Sequence, residues 1–64
     1  MQEKIKVVIA DDNIEFAEIV KNFLNQKEDI EVIDVVKDGE EAYKTIVDKE
    51  PDVALLDVIM PQLD

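Results

Sequence analysis

The distribution of apolar residues divides the chain into five segments. Ile5–Ala10, Ile30–Val36 and Val53–Leu56 are short runs rich in β-branched residues or leucine, which predicts three strands. Residues 13–25 and 38–50 instead carry apolar side chains at helical spacing, which predicts two helices. The predicted order is therefore strand, helix, strand, helix, strand.

Both predicted helices begin at acidic residues that can cap their amino ends. Asp12 lies three residues before Glu15, and Asp38 lies three residues before Glu41, which is the spacing of a capping box. Pro51 is expected to end the second helix, because the residue before a proline is disfavoured in the helical region. Asp12 thus has a structural role available to it, in addition to any chemical one.

The strands are expected to form a parallel sheet. Helix-containing connections imply parallel strands with right-handed crossovers. Glu31 and Asp34 interrupt the second run, which suits an edge strand, whereas Val53–Leu56 lacks any polar alternation and predicts a strand buried on both faces. With the second and third strands on opposite sides of the first, the helices cover opposite faces. The predicted fold is a doubly wound α/β sheet ordered 2-1-3.

Three acids follow strands that should end at the same edge of this sheet. Asp11 and Asp12 come directly after the first strand, and Asp57 ends the third. Three carboxylates repel one another unless a cation shares the site, and oxygen donors without His or Cys select a hard cation such as Mg²⁺. A carboxylate beside Mg²⁺ is also set up to attack a phosphoryl group. The alternative is that these acids only cap and form turns.

Composition narrows the classes of function. The chain of 64 residues has no Cys and no His, which excludes disulfides, thiolate chemistry and the common zinc sites. Its net charge of -10 opposes binding of this segment to nucleic acid or to anionic membranes. No apolar run approaches the ~20 residues that span a bilayer, and no signal peptide is visible. We expect a folded, acidic, cytoplasmic domain.

Two other kinds of phosphate-handling site are disfavoured by particular residues. A glycine-rich nucleotide loop is absent after the first strand, where the chain reads Ala10-Asp11-Asp12-Asn13, and the single glycine, Gly39, follows the second strand. A phosphatase of the haloacid dehalogenase type would need a second Asp two positions after the nucleophile, where this chain has Ile59.

The acid pair and the third strand together resemble a known family. Ala10-Asp11-Asp12-Asn13 and Pro51-Asp52-Val53-Ala54-Leu55-Leu56-Asp57-Val58-Ile59-Met60-Pro61 are similar to the motifs of the receiver domain of bacterial response regulators. The resemblance implies a flavodoxin-like fold and a signalling role, not an enzymatic one, in a two-component relay or phosphorelay. Lys4-Ile5-Lys6-Val7 and Ile59-Met60-Pro61-Gln62-Leu63-Asp64 are similar to the sporulation stage-zero master regulator subfamily. That narrower resemblance implies control of sporulation transcription through a C-terminal DNA-binding domain.

The family resemblance implies a role for each candidate site residue. Asp57 would accept a phosphoryl group from a phosphohistidine on a histidine kinase or phosphotransferase. Asp12 and Asp57 would bind Mg²⁺, or another divalent cation, directly. Asp11 would act through a water molecule, and Ile59 would contribute its backbone carbonyl.

Some groups that the family uses are missing from this chain. Family members carry a Ser or Thr at the end of a fourth strand and a Lys at the end of a fifth. Here there is no Ser, the only Thr is Thr45, and the last Lys is Lys49, both in the second helix. We expect residues 1–64 to be the N-terminal portion of a receiver, truncated before strand four and phosphorylated poorly.

The open edge of the third strand predicts self-association. Unpaired backbone along an apolar strand is a template for pairing with another chain, so we expect a homodimer or larger oligomer built around this edge. The alternative function is that of a non-signalling acidic α/β fragment that acts only as a self-association module.

Overall fold

Three parallel strands and two helices alternate along residues 3–56, the part of the chain that the computed structural model describes. The strands pair in the order β2-β1-β3. The predicted doubly wound α/β fold with strand order 2-1-3 is confirmed. The elements are β1 (Ile5–Ala10), α1 (Ile14–Asn25), β2 (Ile30–Val36), α2 (Gly39–Lys49) and β3 (Val53–Leu56).

The central strand, β1, supplies core residues to both faces of the sheet. Successive side chains of a strand point to opposite faces, and here each face is covered by one helix. One core cluster contains Val8, Ala10, Val36 and Ala42, and the other contains Val7, Ile9 and Ala17. Since Ala42 belongs to α2 and Ala17 to α1, the two helices pack on opposite faces, as the doubly wound arrangement requires.

Strand β2 lies at one edge of the sheet, as its acids predicted. The register between β1 and β2 shifts between Val7 and Val8, so that Ile33 is skipped in the pairing. Bulges and charged side chains are common devices that protect an edge strand from pairing with another chain. Asp34 also forms an ion pair with Lys49, with 3.2 Å between Oδ2 and Nζ.

The amino end of α1 differs from the prediction. Asn13 is the capping residue, and its side-chain oxygen accepts a hydrogen bond from the backbone N–H of Phe16 at 3.0 Å. The prediction of Asp12 as the cap is therefore wrong by one residue. Asn caps helices about as well as Asp. The side chain of Asp11 accepts a hydrogen bond from the Asn13 N–H, which closes a turn over Asp12 and delays the start of the helix.

The ends of α2 agree with the prediction. The Asp38 side chain accepts a hydrogen bond from the backbone N–H of Glu41 at 2.8 Å, so Asp38 is the cap. The helix ends at Lys49, and Glu50 adopts a left-handed conformation with φ 50° and ψ 57° before Pro51. The chain thus turns sharply out of the helix before it enters β3.

Strand β3 is much more exposed than predicted. Val53, Leu55 and Leu56 keep 42%, 40% and 47% of their surface accessible, so the expectation of burial on both faces is wrong for this chain. The physical reason is position: β3 pairs with β1 on one side, and within residues 3–56 no strand pairs with its other side. An edge strand buries its side chains only as far as neighbouring elements cover them.

The helices are also only partly covered. Ala17 and Ala42 are buried against the sheet, but several residues of the predicted apolar stripes are more than half exposed: Phe16, Ile19 and Phe23 in α1, and Tyr43 and Val47 in α2. The two helices therefore present apolar surface to solvent. Within residues 3–56, neither helix has the length and hydropathy needed to cross a membrane.

Candidate functional site

Asp11 is held at the carboxyl end of β1 by hydrogen bonds to its main chain and its side chain. Its backbone N–H donates to the carbonyl oxygen of Val36 at 3.0 Å, which ties the end of β1 to the end of β2. Its Oδ1 accepts a hydrogen bond from the backbone N–H of Asn13 at 2.9 Å. Only 8% of the residue is accessible. The sheet edge therefore carries one carboxylate that is largely buried and fixed in orientation.

Asp12 lies next to this fixed carboxylate and is exposed. Because Asn13 caps α1, the structural role that the sequence offered to Asp12 is not used. Among residues 3–56, the ion pair between Lys49 and Asp34 is the only one, so no lysine of this part neutralises Asp11 or Asp12. The edge therefore presents two adjacent carboxylates whose charge the described residues leave uncompensated.

The remaining predicted site residues, Asp57 and Ile59, lie outside the described residues. The structure does describe the strand that leads to them: β3 ends at Leu56, which is paired with Ala10, the residue before Asp11. Within residues 3–56, no group of three or more acidic, His or Cys side chains is placed to hold a metal ion. The cluster of three carboxylates therefore stays a prediction, of which two members are seen.

The chemistry of the two visible carboxylates fits a hard divalent cation. Mg²⁺ is usually bound through one or two protein carboxylates while it keeps several water molecules. Asp11 and Asp12 supply oxygen donors, and the chain contains no His or Cys to favour a softer metal. An ordered carboxylate beside an exposed one suits a site that a hydrated ion can enter from solvent.

A cavity of about 440 Å³ opens beside the acid pair, between α1 and β3. Its lining is mainly apolar, with polar side chains only at the end nearest to Asp11. A phosphoryl group needs hydrogen-bond donors or cations, so we place the candidate chemistry at the sheet edge and not inside this cavity. The cavity is lined by Ile9, Ala10, Asp11, Asn13, Phe16, Val20, Leu55 and Leu56.

Two contacts, one at the site and one at the opposite end of β3, were not predicted from the sequence. One is the cap at Asn13, for which the signal was an Asn directly before the apolar stripe of the first helix. The other joins Asp52 to Lys6, 46 positions apart in the chain. No local pattern in the sequence signals this contact, because only the pairing of β1 with β3 brings the two residues together.

Comparison with known proteins identifies the family. Residues 7–64 match the response regulator receiver domain. The whole chain is 44% identical, over 64 residues, to a protein-glutamate methylesterase/protein-glutamine glutaminase of Caldanaerobacter subterraneus subsp. tengcongensis, and it covers 17% of that protein.

A solved structure supports the same assignment. The structure is that of the signal receiver domain of NarL from Mycobacterium tuberculosis, a protein proposed to be a response regulator. It superposes with a TM-score of 0.92 at 40% sequence identity and covers 98% of this chain. The chain spans 51% of that solved chain and a smaller share of the methylesterase. With nearly its whole length matched, the chain belongs to the response regulator receiver domain family.

Proposed function

We propose that the chain is the phosphoacceptor part of a receiver domain that works in a bacterial two-component relay or phosphorelay, with Asp57 as the acceptor. The observation that carries the proposal is the pairing of Ala10 with Leu56 at the carboxyl ends of two parallel strands. The next residues along the chain are Asp11 and Asp57. Ligands of open parallel sheets bind at this edge, and Asp11 is already fixed there.

The proposed reaction is an in-line transfer to a carboxylate. A carboxylate oxygen of Asp57 attacks the phosphorus of a phosphohistidine carried by a histidine kinase or a phosphotransferase. The P–N bond breaks, the imidazole nitrogen takes up a proton, and an acyl phosphate forms on Asp57. Because the transferred group is negative, the surrounding carboxylates oppose its approach unless a cation offsets their charge.

The proposed metal site uses Asp11, Asp12, Asp57 and the backbone carbonyl of Ile59, and it holds Mg²⁺ or another divalent cation. When bound, the cation supplies positive charge beside the incoming phosphoryl oxygens. Asp11 is ordered by its hydrogen bond to the Asn13 N–H and stays oriented toward the edge. Asp12 is exposed and is not used as a helix cap, so its carboxylate is available as a ligand.

Covalent labelling with a small acyl phosphate tests the acceptor. Prolonged incubation with acetyl phosphate and Mg²⁺ should slowly add one phosphoryl group to part of the wild-type chain, with release of acetate, and peptide mapping should place it on Asp57. Asp57→Asn should remain unmodified, because an amide is not a nucleophile of comparable strength. Asp48→Ala, which changes an exposed acid of α2, is the matched control. Labelling elsewhere, or equal labelling of Asp57→Asn, would contradict the proposal.

Magnesium affinity should depend more on Asp12 than on Asp11. By family resemblance Asp12 binds the ion directly and Asp11 acts through water, so Asp12→Ala should weaken Mg²⁺ binding by more than Asp11→Ala does. Removal of residues that surround a metal site lowers the affinity for the metal on the order of 10- to 100-fold. Isothermal titration of folded variants, checked by circular dichroism, measures this. Unchanged Mg²⁺ affinity in Asp12→Ala would remove the metal site from the proposal.

The extent of the domain and its output are also proposals. The solved receiver chain is about twice as long as the part that matches, which supports residues 1–64 as the N-terminal portion of a receiver domain. The proposed role is signalling, without catalysis by this segment. Control of sporulation transcription through a DNA-binding domain is not supported by the relatives above, one of which is named as a methylesterase, and it remains a prediction.

Self-association is a second proposal, favoured by the exposure of β3. Its outer edge is unpaired within residues 3–56, and Leu55 and Leu56 expose 40% and 47% of their surface. We propose a homodimer or larger oligomer built around this edge, which is also what a pure self-association module would form. Phosphoryl labelling at Asp57 distinguishes a signalling domain from such a module.

Sedimentation at micromolar concentration should show this association. Leu55→Lys should shift the protein toward monomer, because a charge on the paired strand must be desolvated. Val47→Lys changes a similarly exposed apolar residue of α2 and should have a smaller effect. A wild-type chain that sediments as a folded monomer would contradict the proposed assembly.

A further inference from the structure

At the start of β3, a side-chain oxygen takes the place of a backbone carbonyl as a hydrogen-bond acceptor. Lys6 of β1 directs both its N–H and its carbonyl toward β3. In a parallel ladder, these two groups normally bond to the backbone of two different residues on the partner strand. The Lys6 carbonyl accepts from the Asp52 N–H at 2.8 Å, one residue before the first paired residue of β3, Val53. Its N–H instead donates to Oδ2 of the Asp52 side chain, also at 2.8 Å.

The chain before β3 explains why a side chain is needed. The missing backbone acceptor would have to come from residues before Asp52, but there the chain is still leaving α2. Glu50 is in the left-handed conformation at the helix end, and Pro51 follows it. The carboxylate of Asp52 replaces that acceptor, so one residue satisfies both backbone groups of Lys6. We call this pair of hydrogen bonds the Asp52 clamp.

The clamp matters because little else specifies the register of β3. The strand has four residues, and three of them, Val53, Leu55 and Leu56, are 40–47% exposed. Register is weakly specified in strands whose faces are not buried, and a slip of one residue turns every side chain to the opposite face. With the clamp in place, Val7 pairs with Val53 and Ala10 with Leu56.

We propose that Asp52 is a positioning residue for the phosphoacceptor site. By fixing where β3 begins on β1, the clamp sets which residue of the third strand reaches the sheet edge beside Asp11. Asp57 is five positions after Asp52, and it is the register of the strand between them that determines its approach. This inference rests on the proposed function of Asp57, and it adds a residue at the opposite end of β3 that the chemistry depends on.

The test compares two substitutions of Asp52. Asp52→Ala removes the side-chain acceptor, whereas Asp52→Asn keeps an oxygen at the same place. Asp48→Ala controls for the loss of an exposed acid, since Asp48 makes no side-chain hydrogen bond within residues 3–56. We expect Asp52→Ala to weaken Mg²⁺ binding on the order of 10-fold, with Asp52→Asn and Asp48→Ala close to wild type. Rescue by Asn separates positioning from an effect of charge.

Amide hydrogen exchange, followed by NMR, gives a readout that does not depend on the metal. In the wild-type chain the Lys6 amide should be protected and the Lys4 amide, which precedes β1, should exchange quickly. In Asp52→Ala the Lys6 amide should lose protection, and in Asp52→Asn it should keep it. This measurement remains decisive even when the Asp52→Ala variant does not fold, because rapid exchange of the Lys6 amide in the wild-type chain would by itself overturn the clamp.

The outcomes separate this inference from the proposed function. Wild-type Mg²⁺ affinity in a folded Asp52→Ala variant would overturn the positioning role while leaving Asp57 as the acceptor. Failure of Asn to restore affinity would also overturn it. A wild-type chain that binds no Mg²⁺ and takes up no phosphoryl group would contradict the proposed function itself, and with it the positioning role, even if Lys6 is protected.

Discussion

The 64-residue chain should take up a phosphoryl group from acetyl phosphate at least about 10²-fold more slowly than a complete receiver domain does. By family resemblance, a hydroxyl and a lysine contact the phosphoryl oxygens as charge develops on them. This chain has no Ser, and Thr45 lies in α2. Lys49 lies in the last turn of α2 and is engaged by Asp34 at 3.2 Å. Loss of one such contact costs on the order of 10²- to 10³-fold in rate.

The measurement is the rate of phosphate incorporation under matched Mg²⁺ and acetyl phosphate, followed by intact mass. The receiver domain of NarL, which shares this fold at 40% identity, is the natural reference. Asp57→Asn supplies the background rate. Rapid and stoichiometric labelling of the 64-residue chain would show that the carboxylates and the cation are sufficient without the hydroxyl and the lysine.

Val8→Asp should unfold the chain. Val8 has no accessible surface and lies in the central strand, within the core cluster that faces α2. Burying an unpaired carboxylate costs several kcal/mol even after relaxation. A chain of this length buries only ~60% of the surface of its unfolded form and has little stability in reserve. We therefore expect loss of the far-ultraviolet circular dichroism signal of the helices at 25 °C.

Two further substitutions make this prediction specific. Val8→Ala removes two methyl groups from the same site and should cost about 2 kcal/mol, measured by urea unfolding. Val47→Asp places the same charge on α2, where Val47 is 59% exposed, and should leave the fold intact. A folded Val8→Asp with cooperative unfolding would mean that the core on the α2 face contributes little to stability.

Much of the architecture could be predicted from local patterns. The period of the apolar residues specified the three strands and two helices, since a strand and a helix repeat their buried face at different intervals. Asp38 was correctly predicted to cap α2, and the acids of β2 correctly indicated an edge strand. Two acids of the candidate site also lie where the strand order placed them, at the carboxyl end of β1.

The tertiary structure decided what depends on neighbouring elements. An apolar sequence shows that a strand can be buried, but the covering of β3 depends on which elements pack against it, and within residues 3–56 these leave Leu55 and Leu56 exposed. The choice of Asn13 over Asp12 as the cap of α1 was missed for a different, local reason, since the Asp11 side chain accepts a hydrogen bond from the N–H of Asn13, two residues further along the chain.

The contact between Asp52 and Lys6 shows most directly what local sequence patterns do not predict. Periodicity reports which face of an element is apolar, because that property repeats within a few residues along the chain. A hydrogen bond between residues 46 positions apart leaves no such periodic signal. The sequence by itself therefore determined the elements, their order and the residue types at the sheet edge. Only the folded chain decided which backbone groups those residues satisfy, because that depends on where the sheet brings distant segments together.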